Sequence, residues 1–178
     1  MTTDTNSRRT PGQITIWNEY IHEREDAAVA EVYPEGIHQA LADLLTQALP
    51  ESSIATATLD QPEHGLGADL LERTDVLLWW GHLGHHLVDN TLVARIHQRV
   101  LQGMGLIVLH SAHLSKIFTR LMGTSCNLRW READDREVLW PVAPDHPILR
   151  GVDLPIVIPR HEMYGEFFDI PVPDELIL

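Results

Sequence analysis

The stretch "TDVLLWWGHLGHH", residues 74–86, decides the fold of this chain. Its apolar run is continuous, which is typical of a strand buried on both faces of a parallel sheet. The run stops at Gly81, and His82, His85 and His86 follow at once. A second stretch, "GLIVLHSAH" at residues 105–113, repeats this arrangement with His110, Ser111 and His113 at its end. The two stretches therefore predict buried strands that end in titratable side chains.

Strand and helix patterns alternate on both sides of these stretches. The predicted elements are strands at 14–18, 54–60, 74–81 and 105–111, and helices at 34–49, between 60 and 74, at 90–102 behind Asp89, and at 112–122. Alternation of this kind predicts an α/β fold, with a mostly parallel sheet and helices on both faces.

The pattern changes after residue 123. Residues 126–142 predict a hairpin with a turn at Asp134 and Asp135. A strand is predicted at 154–159 and a short helix at 161–169, and the final "DELIL" reads as the beginning of a strand.

Length and composition limit the classes of protein. A chain of 178 residues that is 44% hydrophobic predicts one domain, residues 14–178, behind a polar, disordered lead at 1–13. The net charge of −13 argues against nucleic acid and against an anionic membrane surface as partners. No apolar run of roughly 18 residues and no signal peptide is found. The single cysteine, Cys126, fits a reducing cytoplasm.

The carboxyl ends of the predicted strands are where a ligand would bind, because the loops of a parallel sheet converge there. The first strand is followed by Asn18, Glu19 and His22, and the third and fourth strands by the histidines quoted above. We expect His82 and His110 to face a common crevice. Imidazoles suit acid–base catalysis and also bind transition metals. The H-x-x-H pairs His82/His85 and His110/His113 predict a divalent metal, zinc or manganese, completed by a carboxylate such as Glu19 or Glu162.

Structural interpretations compete with this site. A histidine that ends a strand often bonds only a loop carbonyl. His38 and His97 lie on predicted helices and are expected to be solvated, and residues 23–26 are expected to form a solvated loop or a helix start. Cys126 is expected to be structural. Ser111 lies near the place of a nucleophile in a strand–turn–helix elbow, with His113 as its base, although the bulky His110 beside it argues against that role.

Long segments of the chain resemble the ThuA-like trehalose-utilisation family. The resemblance runs from about residue 14 to the last residue and is carried by "ITIWNEY", "VYPEGIHQAL", "ATLDQPEHGL", "TDVLLWWGHLGHH", "RVLQGMGLIVLHSAHLSKIFTRLMGTSCNLRWRE", "HPILRGV" and "HEMYGEFFDIPVPDELI". It implies the class I glutamine amidotransferase-like superfamily and a flavodoxin-like sheet. Family members usually continue with further strands and a Gly-His-Glu segment, so the resemblance implies a domain truncated at its C-terminus.

The resemblance also implies a function. The superfamily's amidotransferases use an elbow cysteine, which is absent from His110–Ser111–Ala112–His113, so Cys-dependent glutamine hydrolysis is not expected. The family implies catabolism of trehalose and related disaccharides beside an oxidoreductase that makes a keto-sugar. The clustering of polar residues at the predicted strand ends, and not the resemblance, suggests the site residues of such an enzyme. The catalytic residues would be His82, His110, His113, Glu19 and Glu162. The sugar-binding residues would be Asn18, Trp80, Ser111, His161 and Tyr164.

Two functional hypotheses follow from these features. The first is a cytoplasmic, homo-oligomeric sugar-processing enzyme. The second is a non-catalytic module that uses the same crevice to hold a sugar or a partner protein. Turnover of a sugar would support the first hypothesis, and sugar binding without turnover would support the second.

Overall fold

The computed structural model describes residues 12–178, apart from the side chains of residues 165 and 166. The predicted disordered lead at 1–13 lies outside the described residues except for its last two, and Gln13 already belongs to a strand. The chain divides into two units, Met1–Leu121 and Met122–Leu178. Each unit is described by itself.

The first unit is built on a four-stranded parallel sheet in the order β2-β1-β3-β4. Its strands are β1 (Gln13–Asn18), β2 (Ser53–Thr58), β3 (Val76–Trp80) and β4 (Gly105–Leu109). This is the order in which a flavodoxin-like sheet begins. The predicted α/β class and parallel sheet are confirmed, and β3 and β4 are neighbours, as the crevice hypothesis requires.

Helices cover both faces of this sheet. The α-helices of residues 12–178 are α1 (His22–Glu25), α2 (Ala27–Val32), α3 (Ile37–Ala48), α4 (Ala68–Arg73), α5 (Asn90–Leu101) and α6 (Lys116–Met122). On one face, Ile16 and Leu78 pack with Ala42 of α3. On the other face, Trp17 and Trp79 stack with ring centroids 3.8 Å apart and pack against side chains of α4, α5 and α6. Successive strand residues thus point to opposite faces, so Trp79 is core and Trp80 lies on the α3 side.

Several predicted boundaries in the first unit need correction. The helix start expected at 23–26 as one of two alternatives falls in α1, whereas α2 was not predicted. Helix α3 begins at Ile37 instead of residue 34, because Gly36 has a φ of +90° that no helix contains. β4 stops at Leu109, and a 3₁₀ turn (His110–Leu114) precedes α6.

The second unit contains one antiparallel pair, β5 (Arg129–Leu139) with β6 (Ile156–Glu166). The predicted hairpin over 126–142 is wrong, because β5 continues through residues 134 and 135 and pairs with β6, with register shifts on both sides of Asp135. The predicted helix at 161–169 is also wrong, because β6 extends to Glu166 along the same partner. The terminal "DELIL" forms no strand, although the Ile177 carbonyl accepts hydrogen bonds from the N–H groups of Val142 and Ala143.

Within residues 12–178, no helix combines the length and the apolar character needed to cross a bilayer.

Candidate functional site

The carboxyl ends of β1 and β3 form the topological switch point of the sheet. The chain leaves β1 for β2 on one side and returns to β3 on the other, which in this fold opens a crevice between the two strand ends. Asn18 pairs with Trp80 across these strands, and Trp80 pairs with Leu109 of β4. The loops that carry His82 and His110 therefore leave neighbouring strand ends.

Glu19 holds the loop that follows β3. Its side chain is buried, and its carboxylate accepts the backbone N–H of Leu83 at 2.6 Å and that of Gly84 at 2.7 Å. A Cβ on Gly84 would lie 2.7 Å from Ile21 Cδ1, so the loop passes close to the chain after β1. Glu19, predicted to be catalytic, has both carboxylate oxygens engaged in positioning this loop.

Three histidines gather around that loop. Burial lowers the pKa of the half-buried His85 below its ordinary value; the charge of Glu19 opposes this shift, and the neighbouring His82 and His113 add to it. The His82 ring also stacks on His22 of α1, with centroids 4.9 Å apart. In the first unit His82 and His113 thus act on His85, and His22 stacks on His82.

The turn after β4 is the elbow of the fold. His110 has a φ of +45°, a left-handed conformation that non-glycine residues rarely adopt. The strained position belongs to His110, whereas the sequence interpretation assigned the elbow to Ser111. The Ser111 hydroxyl donates to the Gly81 carbonyl at 2.9 Å and so ties the β4 turn to the β3 loop. The His110 ring is nearly parallel to the indole of Trp80, with centroids 6.1 Å apart.

A second buried carboxylate, Glu23, lies on the α3 side of the crevice. Asn18 Nδ2 donates to Glu23 Oε1 at 2.6 Å, and the backbone N–H of Ile37 donates to the same oxygen at 2.9 Å. Glu23 is only 5% exposed, so the expected solvated position was wrong. The side chain folds inward because it meets the amide of Asn18 and the first N–H of α3, where a negative charge is stabilised.

His38 joins this network. Tyr20 N–H donates to Asn18 Oδ1 at 2.9 Å, which leaves Asn18 Nδ2 to face His38 Nδ1 at 3.0 Å. Because Nδ2 can only donate, His38 Nδ1 is the acceptor and the ring proton is on Nε2. Burial lowers the pKa of His38 against the opposing charge of Glu23, which favours this neutral form. His38 was expected to be solvated, and the structure corrects that expectation.

The remaining predicted site residues lie on β6 in the second unit. His161 Nδ1 is 2.8 Å from Glu137 Oε2, and the Tyr164 hydroxyl donates to Glu162. Burial and the Glu162 carboxylate raise the pKa of Tyr164. A cavity of about 310 Å³ is lined by Glu132, Ala133, Asp134, Arg160, His161 and Glu162. These residues form a polar cluster of their own.

The predicted metal ligands are not arranged as a metal site. Among residues 12–178, no group of three or more His, Cys, Asp or Glu side chains has a geometry that would hold a metal ion. In the first unit His82 and His113 lie close enough to His85 to lower its pKa.

Sequence reasoning missed Glu23 and His38. The only signal was their location, five residues after the end of β1 and at the second residue of α3. The charged segment "HERED" at 22–26 predicted exposure instead, because it resembles an ordinary solvated segment.

Comparisons with known proteins agree with the architecture. A crystal structure of a ThuA-like protein from Bacteroides uniformis ATCC 8492 superposes with a TM-score of 0.59 at 13% identity, over 92% of this chain. The match spans 64% of that longer chain, and at this identity it shows the fold alone. No curated protein matches. The family model described as "ThuA: Trehalose utilisation" matches residues 13–178. Since this match covers nearly the whole sequence, the chain belongs to the ThuA trehalose-utilisation family.

Proposed function

We propose that this protein acts in the catabolism of trehalose or a related disaccharide, and that it binds the sugar or its keto derivative in the crevice beyond β1, β3 and β4. The observation that carries the proposal is that Glu19 holds the loop bearing His82 and His85 through two backbone N–H groups, while the Ser111 hydroxyl ties the turn after β4, which bears His110 and His113, to the Gly81 carbonyl. Membership of the family suggests that the ligand is a sugar, and the histidines are the side chains that could transfer protons.

The histidines suit acid–base work on a keto-sugar. An imidazole titrates near neutrality, so it can remove a proton next to a carbonyl and return one to the oxygen. Burial favours the neutral form of His85, which is the form that acts as a base. His110 stands on the strained turn after β4 beside Trp80, whose ring offers a surface on which a sugar can stack.

The test is turnover of keto-trehalose by the purified chain, followed by chromatography of the products and by exchange of the proton next to the carbonyl for deuterium in D₂O, because the enediol formed by this step reprotonates to a carbonyl compound. The His82→Ala and His110→Ala variants should lower kcat at least ten-fold, while His86→Ala, an exposed neighbour outside the site, should not. Dialysis against a chelator, with elemental analysis for zinc and manganese, tests the divalent metal. Unchanged turnover in both histidine variants would remove these side chains from the mechanism.

A second candidate is a binding module without turnover. Two candidates other than histidine are already engaged, because Glu19 bonds two backbone N–H groups and the Ser111 hydroxyl bonds the Gly81 carbonyl. This function predicts that sugar raises the Tm while no product forms. A partner oxidoreductase, self-association and a cytoplasmic location stay predictions, which co-purification, light scattering and fractionation would test.

A further inference from the structure

One oxygen of the buried Glu23 carboxylate is unsatisfied. Glu23 is 5% exposed, and its Oε1 accepts two hydrogen bonds, from Asn18 Nδ2 and from Ile37 N–H. Its Oε2 is buried and has no hydrogen-bond partner among the described residues. A buried carboxylate oxygen without a donor is costly, because the water it has lost is not replaced. The position therefore requires a donor that the described chain does not supply.

A second unsatisfied polar atom belongs to the cross-strand neighbour of Asn18. Trp80 is the direct cross-strand partner of Asn18, so both side chains stand on the α3 face of the sheet. The indole Nε1 of Trp80 is buried and has no partner among the described residues. Asn18 thus bonds the residue that carries the open acceptor and pairs across the sheet with the residue that carries the open donor.

The chemistry of these two atoms selects the ligand. A hydroxyl group can donate to a carboxylate oxygen, and a sugar oxygen can accept from an indole N–H. An anionic ligand would be repelled by Glu23. We infer that Glu23 and Trp80 form a hydroxyl-recognition subsite for a neutral polyhydroxylated ligand, with Glu23 accepting from one hydroxyl. This inference rests on the proposed function, because it names residues that would select the sugar.

Asn18 and His38 position the carboxylate. His38 accepts from Asn18 Nδ2, and Tyr20 N–H fixes the other end of the same amide. Asn18 therefore directs a hydrogen to Glu23 Oε1 and leaves Oε2 for the ligand. Gly36 completes the packing, because a Cβ there would lie 2.5 Å from His38 Cε1 and 2.8 Å from Tyr20 Cε2.

The experiment is calorimetric titration of the full chain with trehalose and keto-trehalose. Glu23→Gln keeps the shape of the side chain but replaces one of the two carboxylate oxygens with an NH₂ group, which cannot accept a hydrogen bond from a sugar hydroxyl. We expect its Kd to rise at least ten-fold. Glu25→Gln, on the exposed side of the same helix, is the matched control and should stay within two-fold. Trp80→Phe keeps the ring, removes the N–H and should raise Kd about five-fold.

Monodeoxy trehaloses identify the hydroxyl. One of them should bind the wild type as weakly as trehalose binds Glu23→Gln, and combining the two changes should add no further loss. If Glu23→Gln and Trp80→Phe, both folded by circular dichroism, keep the wild-type Kd while His110→Ala lowers turnover, the subsite is overturned and the proposed function stands. If the wild type binds neither sugar, both fail. If CaCl₂ or MgCl₂ alone raises the Tm of the wild type and not of Glu23→Gln, the position is a cation site and the inference is wrong.

Discussion

Two buried glutamates lie four residues apart at the end of β1, and their surroundings differ. Glu19 is 2% exposed and Glu23 is 5% exposed, so solvent reaches neither of them freely. Glu19 uses one oxygen for Leu83 N–H and the other for Gly84 N–H. Glu23 uses one oxygen twice and the other not at all within the described chain.

This difference separates structural from functional carboxylates. Burial alone does not tell them apart, because both side chains have been taken out of water. A carboxylate whose two oxygens are both satisfied has no capacity left for a ligand, and replacing it removes bonds that the fold needs. A carboxylate with one open oxygen contributes less to the fold and keeps a site for a donor.

The largest expected effect is on stability at Glu19. Glu19→Gln should lower the free energy of unfolding by about 3 kcal/mol, because the amide accepts only one N–H and turns its own NH₂ group toward the other. Glu23→Gln should stay within about 1 kcal/mol of the wild type, since it also removes a buried charge that is half satisfied. Urea denaturation measures both. Equal losses in the two variants would contradict the distinction.

A smaller effect is expected at the glycines that pack against the two networks. Gly36→Ala should cost about 2 kcal/mol, because φ is +90° and the new Cβ would overlap the His38 ring. Gly84→Ala, beside Glu19, has an ordinary φ of −100° and meets the tip of Ile21, so it should cost about 1 kcal/mol.

Gly103 provides the control for backbone strain. Its φ is +107°, but a Cβ there meets nothing within 4 Å, so Gly103→Ala reports the conformational cost without the clash. The excess loss in Gly36→Ala over Gly103→Ala therefore measures how tightly the His38 network is packed. No excess would mean that the ring moves aside freely.

The sheet of the first unit could be predicted from local sequence. The alternation of apolar runs with helix patterns leaves few topologies. Of the two runs predicted to be buried strands, "VLLWW" is buried, whereas "GLIVL" forms the edge strand β4 of the described sheet, where Ile107 is 49% exposed, so that part of the prediction is wrong. The placement of His82, His85 and His113 near one another followed from the same pattern, because parallel strands bring their carboxyl ends to one edge.

The second unit could not be predicted in this way. Residues 129–139 carry many charges and no clean alternation, and only pairing with β6 explains why they are extended. Asp134 and Asp135 favour a turn locally, yet a long partner strand outweighs that preference. A pairing of this kind joins residues far apart in sequence, which no short window contains.

The Glu23 network also depends on distant partners. The charged segment at 22–26 predicts exposure, and its inward turn depends on Asn18 and on the start of α3. The strained φ of His110 is likewise invisible in "LHSAH", where the small Ser111 looked like the better elbow residue. Buried polar bonds and backbone strain arise from tertiary structure, and they are the features that define this site.

The smallest expected effect is the response of the two networks to pH, since each contains one histidine whose pKa is lowered mainly by burial. His85 lies on the Glu19 side and His38 on the Glu23 side. The unfolded chain binds protons at these residues near the ordinary pKa of 6.5, whereas the folded chain binds them only at lower pH. The stability they contribute is therefore complete above about pH 6.5 and is lost as the pH falls toward the folded pKa values.

Urea midpoints measured between pH 7.5 and 5 should decrease on acidification, and His85→Asn and His38→Asn should each flatten part of that slope. His86→Asn, at an exposed position beside His85, should leave the slope unchanged. If only His85→Asn flattens it, the imidazole of His38 is free to take up a proton in the folded chain. The Asn18 amide would then have to give up its hydrogen bond to His38, and the orientation of Glu23 would depend on pH. A wild-type slope that keeps its full size in both His85→Asn and His38→Asn would contradict the assignment, because the response to pH would then come from other groups.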